Sequence, residues 1–448
     1  MITYIILIFF CLFLVVFSYL FFKKDLLSPT LVSAIVFLLT LVCAAIGLFS
    51  WNYVDGLSLE TILIIIVGLG SFCIGEIIAR ALQKGRTKEK KKKPIKPFCL
   101  TNKILIALLI FVIISLVLNM IEIVKVTESY GFTSSSFIDV LAYYRTKTGL
   151  FNDSAFASGA GINTFVSQLW KISGAINIIL FYYGFQKILT LKKKINKKEL
   201  ILIALILIIT LLQTFLFNGG RSIFFHYIVA YAAIIVFTLF VKGEKKVSRK
   251  IVRRFVGIIG VLVVIFYMLL PMVGRSTSHG MLEYTTFSLG VSVPSLELYI
   301  EDDESSEEKY VGEETFSGVY YTLNKIGVMK YTKARSHEWR SFADDSTLSS
   351  NTYTSLRSYY KDFGMAGVII LQFIFGFVVT FIYLKIKESN SMLAHIIYFS
   401  YFYILIDQAR DEQFFSLISI STVANVAFIA ITYYILRTLG SRNEKNKR

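Results

Sequence analysis

The sequence Asn-Gly-Gly-Arg-Ser at residues 218–222 separates two apolar runs that are each long enough to cross a bilayer as a helix. The first run covers roughly residues 199–217 and the second roughly residues 222–241. The Gly-Gly pair permits a tight reversal of the chain, because glycine tolerates positive φ angles. The pattern predicts two antiparallel membrane helices, with Arg221 and Ser222 at the start of the second.

Apolar runs of similar length recur along the whole chain, in which 55% of the 448 residues are hydrophobic. We therefore predict an all-α polytopic membrane protein that forms a single integral membrane domain over residues 1–448. About eleven spans are expected, at roughly residues 3–22, 31–50, 61–82, 105–124, 165–189, 199–217, 222–241, 255–273, 366–384, 392–406 and 414–436.

Basic residues cluster between the spans, and this placement predicts the orientation. The strongest cluster lies at residues 84–96, so that loop is expected in the cytoplasm. Counting spans from it puts the N-terminus outside and the C-terminus inside. In a soluble protein, a net charge of +17 would indicate binding to nucleic acid. Here the basic residues lie between the spans, where they set the orientation in the membrane instead. The two longest polar segments, residues 127–163 and 274–364, are then extracytoplasmic loops, and the second is expected to carry short helices.

Two arginines at predicted outer span ends are the first candidate site residues. Arg221 is matched by Arg275, which lies in a second Gly-Arg-Ser sequence. A helix N-terminus beside a guanidinium is suited to a phosphate, here the headgroup of a lipid. The alternative is ordinary snorkelling of arginine to the interface. The neighbouring residues predicted to help bind the anion are Asn218, Gly219, Gly220, Ser222 and Ser276.

A second candidate site lies in the large loop, where donors and an aromatic ring are dense. Such mixtures bind sugars by stacking and hydrogen bonding. The residues concerned are Arg335, His337, Glu338, Trp339, Arg340 and the more distant Arg357. His337 or Glu338 is a candidate general base for a sugar hydroxyl. The alternative interpretation is that this segment is a solvated loop that binds no sugar.

Three further features are less specific. His226 lies one helical turn after Ser222 and either extends the polar site or is a packed core histidine. The acidic residues 301–308 lack the ligand spacing of a metal site and are read as a solvated surface. Local ion pairs are expected between Glu76 and Arg80, and between Glu122 and Lys125.

Several motifs together resemble one bacterial family. The sequence at residues 218–222 opens a span, a large outer loop follows, and residues 351–354 and 360–367 lead into the next span. This arrangement is similar to that of the oligosaccharide repeat-unit polymerases, the Wzy-type O-antigen and capsule polymerases. The chain has no phosphate-binding loop or other nucleotide motif, which agrees with a family that uses lipid-linked donors.

The resemblance implies a membrane glycosyltransferase of GT-C-like architecture in the bacterial plasma membrane. Its substrates would be undecaprenyl-pyrophosphate-linked oligosaccharides, which it would polymerise on the outer face into surface polysaccharide without a metal or other cofactor. By resemblance, Arg221, Arg275 and either His337 or His279 match the functional residues. A flippase and a chain-length regulator are the partners that the family implies, and no nucleic acid is expected.

Two other functions remain open on the sequence. A transporter or flippase of the same lipid-linked sugars accounts for the spans and the cationic residues, but less well for an outer loop of about 90 residues. An O-antigen-type ligase would differ only in its acceptor.

Overall fold

The computed structural model describes residues 1–49, 56–84, 98–145, 163–190, 196–218, 222–241, 280–302, 310–331, 337–342 and 349–445. Most of these residues are helical. In chain order the helices are α1 (Ile2–Phe21), α2 (Pro29–Gly47), α3 (Leu59–Lys84), α4 (Asn102–Ser129), α5 (Phe137–Arg145), α6 (Thr164–Thr190), α7 (Lys197–Asn218), α8 (Ser222–Val236), α9 (Met281–Gly290), α10 (Ser292–Glu301), α11 (Ser317–Lys325), α12 (Ser355–Glu388), α13 (Met392–Ser400), α14 (Ile404–Asp407) and α15 (Ile420–Lys445).

Within the described ranges, nine helices are long and apolar enough to cross a membrane, which confirms the prediction of an all-α polytopic membrane protein. They are α1 to α4, α6 to α8, α12 and α15, and α8 continues as a π-helical turn, Phe237–Val241. The tenth expected span, at 392–406, is a shorter apolar segment made of α13 and α14. The expected span at 255–273 lies outside the described residues.

The ninth expected span differs from the prediction because its helix begins eleven residues earlier. α12 starts at Ser355 rather than near residue 366, and it is interrupted at Gly364, which has φ 61° and ψ −157°. Only glycine adopts this conformation without strain. The break separates a polar outer segment, which carries Arg357 and Lys361, from the apolar span.

Close packing of α3 against α12 forms the centre of one half of the bundle. A Cβ atom on Gly75 would lie 2.3 Å from the carbonyl oxygen of Phe373, and one on Gly376 would lie 2.2 Å from that of Phe72. The two backbones therefore approach as closely as they do because both positions are glycine, as is common where membrane helices associate.

Polar contacts identify the two ends of the bundle. At the end that we call the loop end, the backbone N–H of Leu57 donates to Thr3 Oγ1 (2.9 Å) and that of Ser58 donates to Glu297 Oε1 (2.8 Å). Glu297 belongs to α10, so the large loop lies at this end. α9 packs against α2, and α10 packs against α2 and α3.

A buried ionic network lies at the opposite end. Glu76 accepts hydrogen bonds from Ser28 Oγ (2.7 Å) and from the backbone N–H of Thr30 (2.6 Å), and so caps the start of α2. Arg80 contacts Glu76 at 2.6 Å, which confirms the expected pair, and also Asp25 at 3.5 Å. The other expected pair, between Glu122 and Lys125, is present at 3.2 Å on the surface.

The rest of the large loop is compact within its described parts. β1 (Arg340–Ser341) pairs antiparallel with β2 (Ser349–Ser350), a small exception to the all-helical expectation. α11 forms where a short helix was expected, and it packs beside a 3₁₀ turn, Phe415–Leu417, that precedes α15.

We predict that Gly376→Leu lowers the stability of the protein, because the new side chain would collide with the backbone of α3. Overpacking of this kind costs about 1–3 kcal/mol or more. The measurement is the thermal midpoint of the detergent-solubilised protein, read by size-exclusion chromatography after heating. The matched control is Gly70→Leu on α3, where a Cβ would meet no atom within 4 Å. Equal midpoints for the two variants would contradict the packing argument.

Candidate functional site

A cavity of about 430 Å³ lies at the loop end, between α6, α8, α11 and the segment from α13 to α15. Aromatic rings form much of its wall: Trp170, Tyr227, Tyr321, Tyr331, Tyr401 and Tyr403. Such rings offer flat apolar faces, and the tyrosines also carry hydroxyl groups that can donate or accept a hydrogen bond.

The cavity wall also carries many other polar groups. The hydroxyl and amide side chains on it are Ser317, Ser358, Ser400, Gln413, Ser416, Ser419, Ser421, Thr422 and Asn425, and the ionisable ones include Lys171, Glu313 and Asp411. Another part of the wall is apolar and is formed by Ala175, Ile178, Ala230 and Ile429. A polar, aromatic region joined to an apolar one suits an amphiphilic ligand.

His337, from the large loop, reaches the cavity wall and is bound at both ring nitrogens. Its Nε2 is 3.0 Å from Asp411 Oδ1, in the turn after α14. Its Nδ1 is 3.2 Å from Glu314 Oε2 and 2.9 Å from Arg357 Nη1. Burial disfavours the charged imidazolium, but the hydrogen bonds to Asp411 and Glu314 outweigh it and raise the pKa of His337 to about 9.

Arg357, in the first turn of α12, contacts the same group of side chains as His337. Its side chain has no exposure to solvent, and it contacts Glu314 Oε2 at 3.1 Å and Glu338 Oε2 at 2.5 Å. The guanidinium carbon also lies 4.4 Å from the ring centre of Tyr299 and 4.7 Å from that of Tyr353. A buried guanidinium needs such partners, because its desolvation costs several kcal/mol.

Glu314 is the carboxylate that all three cations share. Besides His337 and Arg357, Lys361 Nζ approaches its Oε1 at 3.1 Å. Burial would raise the pKa of Glu314, but these three groups hold it far below the usual range. The backbone N–H of Thr315 donates to Asp362 at 2.7 Å, which fixes the turn that carries Glu314.

The segment predicted to bind sugar is only partly assembled at the cavity. His337 lines it, and Glu338 and Arg357 lie in the cluster behind His337. Arg340 instead pairs with Asp302 and donates through Nε to Tyr353 at 3.4 Å. Trp339 is 39% exposed and is not on the cavity wall.

The structure changes the expected role of the two candidate bases. Both ring nitrogens of His337 are occupied by side chains, Nε2 by Asp411 and Nδ1 by Glu314 and Arg357, so neither is open to a sugar hydroxyl group. Glu338 is paired with Arg357, which opposes the effect of partial burial, and its pKa is lowered. These groups therefore fix the loop and supply charge beside the cavity, and the chemistry does not favour either as a general base.

The predicted anion site lies mostly outside the described residues, which leave out Gly219, Gly220, Arg221, Arg275, Ser276, Arg335 and His279. Asn218 ends α7, and Ser222 begins α8 with an exposed side chain that does not line the cavity. The wall instead includes Ile223, the next residue along α8.

His226, one turn further along α8, does line the cavity. Its Nε2 lies 2.6 Å from Asp407 Oδ2, at the end of α14, and its ring stacks on Tyr403 with centres 3.7 Å apart and planes 9° apart. His226 is thus a packed, hydrogen-bonded histidine that also lines the cavity.

Two acidic residues beside the cavity were not predicted as site residues. Asp411 binds His337, and Glu412 is buried and accepts the backbone N–H groups of Phe415 (2.7 Å) and Ser416 (3.0 Å). Burial raises the pKa of Glu412 to about 8 against these hydrogen bonds. The sequence signal for them is the cluster of charged residues at 407–412 between two apolar runs.

The pKa of His337 predicts a pH dependence of stability. Because the folded-state pKa is raised from 6.5 to about 9, the stabilisation is complete below about pH 6.5 and is lost as the pH rises through 9. This stabilisation is on the order of 3 kcal/mol. We expect His337→Gln to lower the thermal midpoint at pH 7 and to bring it close to the wild-type midpoint near pH 10.

The matched control is His395→Gln, which removes a buried histidine bound to Tyr182 at 2.7 Å, away from these carboxylates. This variant should lose stability by a similar amount at pH 7 and at pH 10. If the midpoint of His337→Gln stayed below the wild-type value by the same amount at all pH values, the charged imidazolium would not be the stabilising group.

Comparison with known proteins gives no match to any protein-family model, curated protein or solved structure. The function of the cavity therefore has to be argued from the chemistry of its own residues.

Proposed function

We propose that this chain is a membrane glycosyltransferase that joins undecaprenyl-pyrophosphate-linked oligosaccharide repeat units into a surface polysaccharide. In this proposal it has a GT-C-like architecture and acts at the outer face of the bacterial plasma membrane. The growing glycan is the donor, a new lipid-linked unit is the acceptor, and undecaprenyl pyrophosphate is released.

The observation that carries the proposal is the composition of the cavity wall. Tyrosines, a tryptophan and many hydroxyl groups suit the apolar faces and hydroxyl edges of sugar rings. The apolar part of the same wall, which includes Ile178 and Ile429, suits the lipid of the same molecule. One cavity thus offers surfaces for both parts of a lipid-linked sugar.

The charge distribution supports an outward-facing cavity. At the end opposite the loop, the described chain carries Lys23 and Lys24 after α1, Lys197 and Lys198 at the start of α7, and Lys385 and Lys387 at the end of α12. Positive residues beside spans favour the cytoplasm. By this rule the loop end, where the cavity lies, faces outward.

Electrostatics can supply much of the catalysis. Pyrophosphate is a good leaving group, and fixed cations that stabilise its developing charge lower the barrier. Lys171 is on the cavity wall, and Arg221 directly precedes α8, whose first turns form part of that wall. Arginine binds phosphate in bidentate fashion and stays charged at any working pH. Arg275 remains the second proposed phosphate ligand.

A flippase is less well supported by the described residues. A flippase must open its polar pathway to both faces of the membrane in turn. At the opposite end, Asp25, Glu76, Arg80 and Lys387 are joined by contacts of 2.6 to 3.5 Å, and this network ties α2, α3 and α12 together. A ligase would use the same cavity with a different acceptor.

The experiment that tests the proposal is reconstitution of the purified protein in liposomes. The probe is lipid-linked single repeats, extracted from native cells from which this gene has been deleted. A polymerase should produce a ladder of longer lipid-linked glycans when the repeats are supplied on the face where the loop lies. Movement of repeats between leaflets without a ladder would indicate a flippase, and transfer only to an added non-identical acceptor would indicate a ligase.

We predict that Arg221→Ala and Arg275→Ala each reduce ladder formation by about 10²- to 10³-fold, the usual effect of removing one group that stabilises developing charge. The measurement is the initial rate of extension in the same liposomes, at equal amounts of inserted protein. Arg437→Ala is the matched control, because Arg437 lies near the other end of α15 from the cavity. Normal ladders from both variants would rule out their proposed role.

A further inference from the structure

We propose that His226, oriented by Asp407, is the general base that takes the proton from the acceptor hydroxyl group. The geometry that points to this is an aspartate–histidine pair whose imidazole forms part of the cavity wall. The inference rests on the proposed function and assigns a catalytic residue to it.

The position of the pair fits this role. His226 lies in the second turn of α8 and lines the cavity, whereas Asp407 is not on the cavity wall and contacts the ring through Oδ2 at 2.6 Å. Tyr403, which also lines the cavity, lies parallel to the imidazole with ring centres 3.7 Å apart. The ring is thus fixed by a carboxylate at one nitrogen and by an aromatic face.

The hydrogen bond to Asp407 determines which nitrogen can act. In the neutral ring, a carboxylate at Nε2 stabilises the tautomer with the proton on Nε2, so the lone pair is on Nδ1. None of the described residues forms a hydrogen bond with Nδ1. Nδ1 is therefore the nitrogen that we propose accepts the proton of the acceptor.

The other two histidines that the structure describes have no such nitrogen. His337 is bound by Asp411 at Nε2 and by Glu314 and Arg357 at Nδ1. His395 contacts Tyr182 through Nδ1 and the carbonyl oxygen of Ser389 through Nε2, and is fully buried. Within the described part of the chain, His226 is thus the histidine with a ring nitrogen left for chemistry.

The proposed step balances as follows. The acceptor oxygen forms a bond to the anomeric carbon of the donor glycan while its proton passes to Nδ1 of His226. The bond between that carbon and the pyrophosphate oxygen breaks, and the electron pair leaves with undecaprenyl pyrophosphate. The carboxylate of Asp407 stabilises the imidazolium that forms, and the proton then passes to water, which restores the neutral ring.

The test uses the full-length protein in liposomes with the same extracted lipid-linked repeats. We expect His226→Gln to lower kcat for extension by about 10²- to 10⁴-fold with little change in KM, as is usual for the loss of a general base. Asp407→Asn should lower kcat by a smaller factor at similar KM, because Asp407 positions the base. His395→Gln is the matched control and should retain kcat.

Chemical rescue separates a catalytic role from a structural one. His226→Ala leaves a space beside the cavity, and added imidazole should restore part of the extension rate if the folded site lacks only its base. Extension at the wild-type rate by His226→Gln, or loss of activity that imidazole does not restore in His226→Ala, would overturn the inference and leave the proposed function standing. If the wild type itself makes no longer glycan, the proposed function fails and the inference with it.

Discussion

The buried charge of Arg357 places the strongest constraint on the loop end of the molecule. A guanidinium that has lost its contact with water must have carboxylate partners, or its desolvation would destabilise the fold by several kcal/mol. Glu314 and Glu338 supply them, and both belong to the large loop. The pairing therefore holds two loop segments, which lie about 20 and 40 residues before Arg357 in the sequence, against the start of α12. Because His337 and Asp411 join the same cluster, one ionic network fixes the loop, α12 and the turn before α15 around the cavity.

Buried charges at the opposite end of the bundle also need partners, but they find them on neighbouring spans. There, Glu76 caps α2 and pairs with Arg80, while Asp25 accepts from Tyr383 (2.6 Å) and Lys387 (2.8 Å). Charges are satisfied there by neighbouring spans, whereas at the loop end they are satisfied across long loops. The second arrangement leaves polar groups on a concave surface where a ligand can reach them.

The sequence predicts the helices well because the signal is local. Apolar runs of about 20 residues identify α1 to α4 and α6 to α8, and a spacing of four residues identifies the pair of Glu76 and Arg80. It does not predict that His337 meets Asp411, 74 residues later, or that Glu314 binds Arg357, 43 residues later. Such contacts depend on how helices and loops pack, which hydrophobic periodicity does not specify. The break at Gly364 shows a smaller failure, since hydropathy marks the membrane segment of α12 but not the polar helix that precedes it.

The three described histidines illustrate why residue type alone assigns no role. His337 is one of the two candidate bases from the sequence because it lies in a donor-rich loop segment, yet Asp411, Glu314 and Arg357 occupy both of its ring nitrogens. His395 lies in an apolar run and has its nitrogens bound by a tyrosine and a carbonyl group inside the protein. His226, which lies within an apolar run, has one carboxylate on one nitrogen. Whether an imidazole keeps a ring nitrogen open to a ligand depends on the groups that pack around it, and those groups are a property of the folded structure.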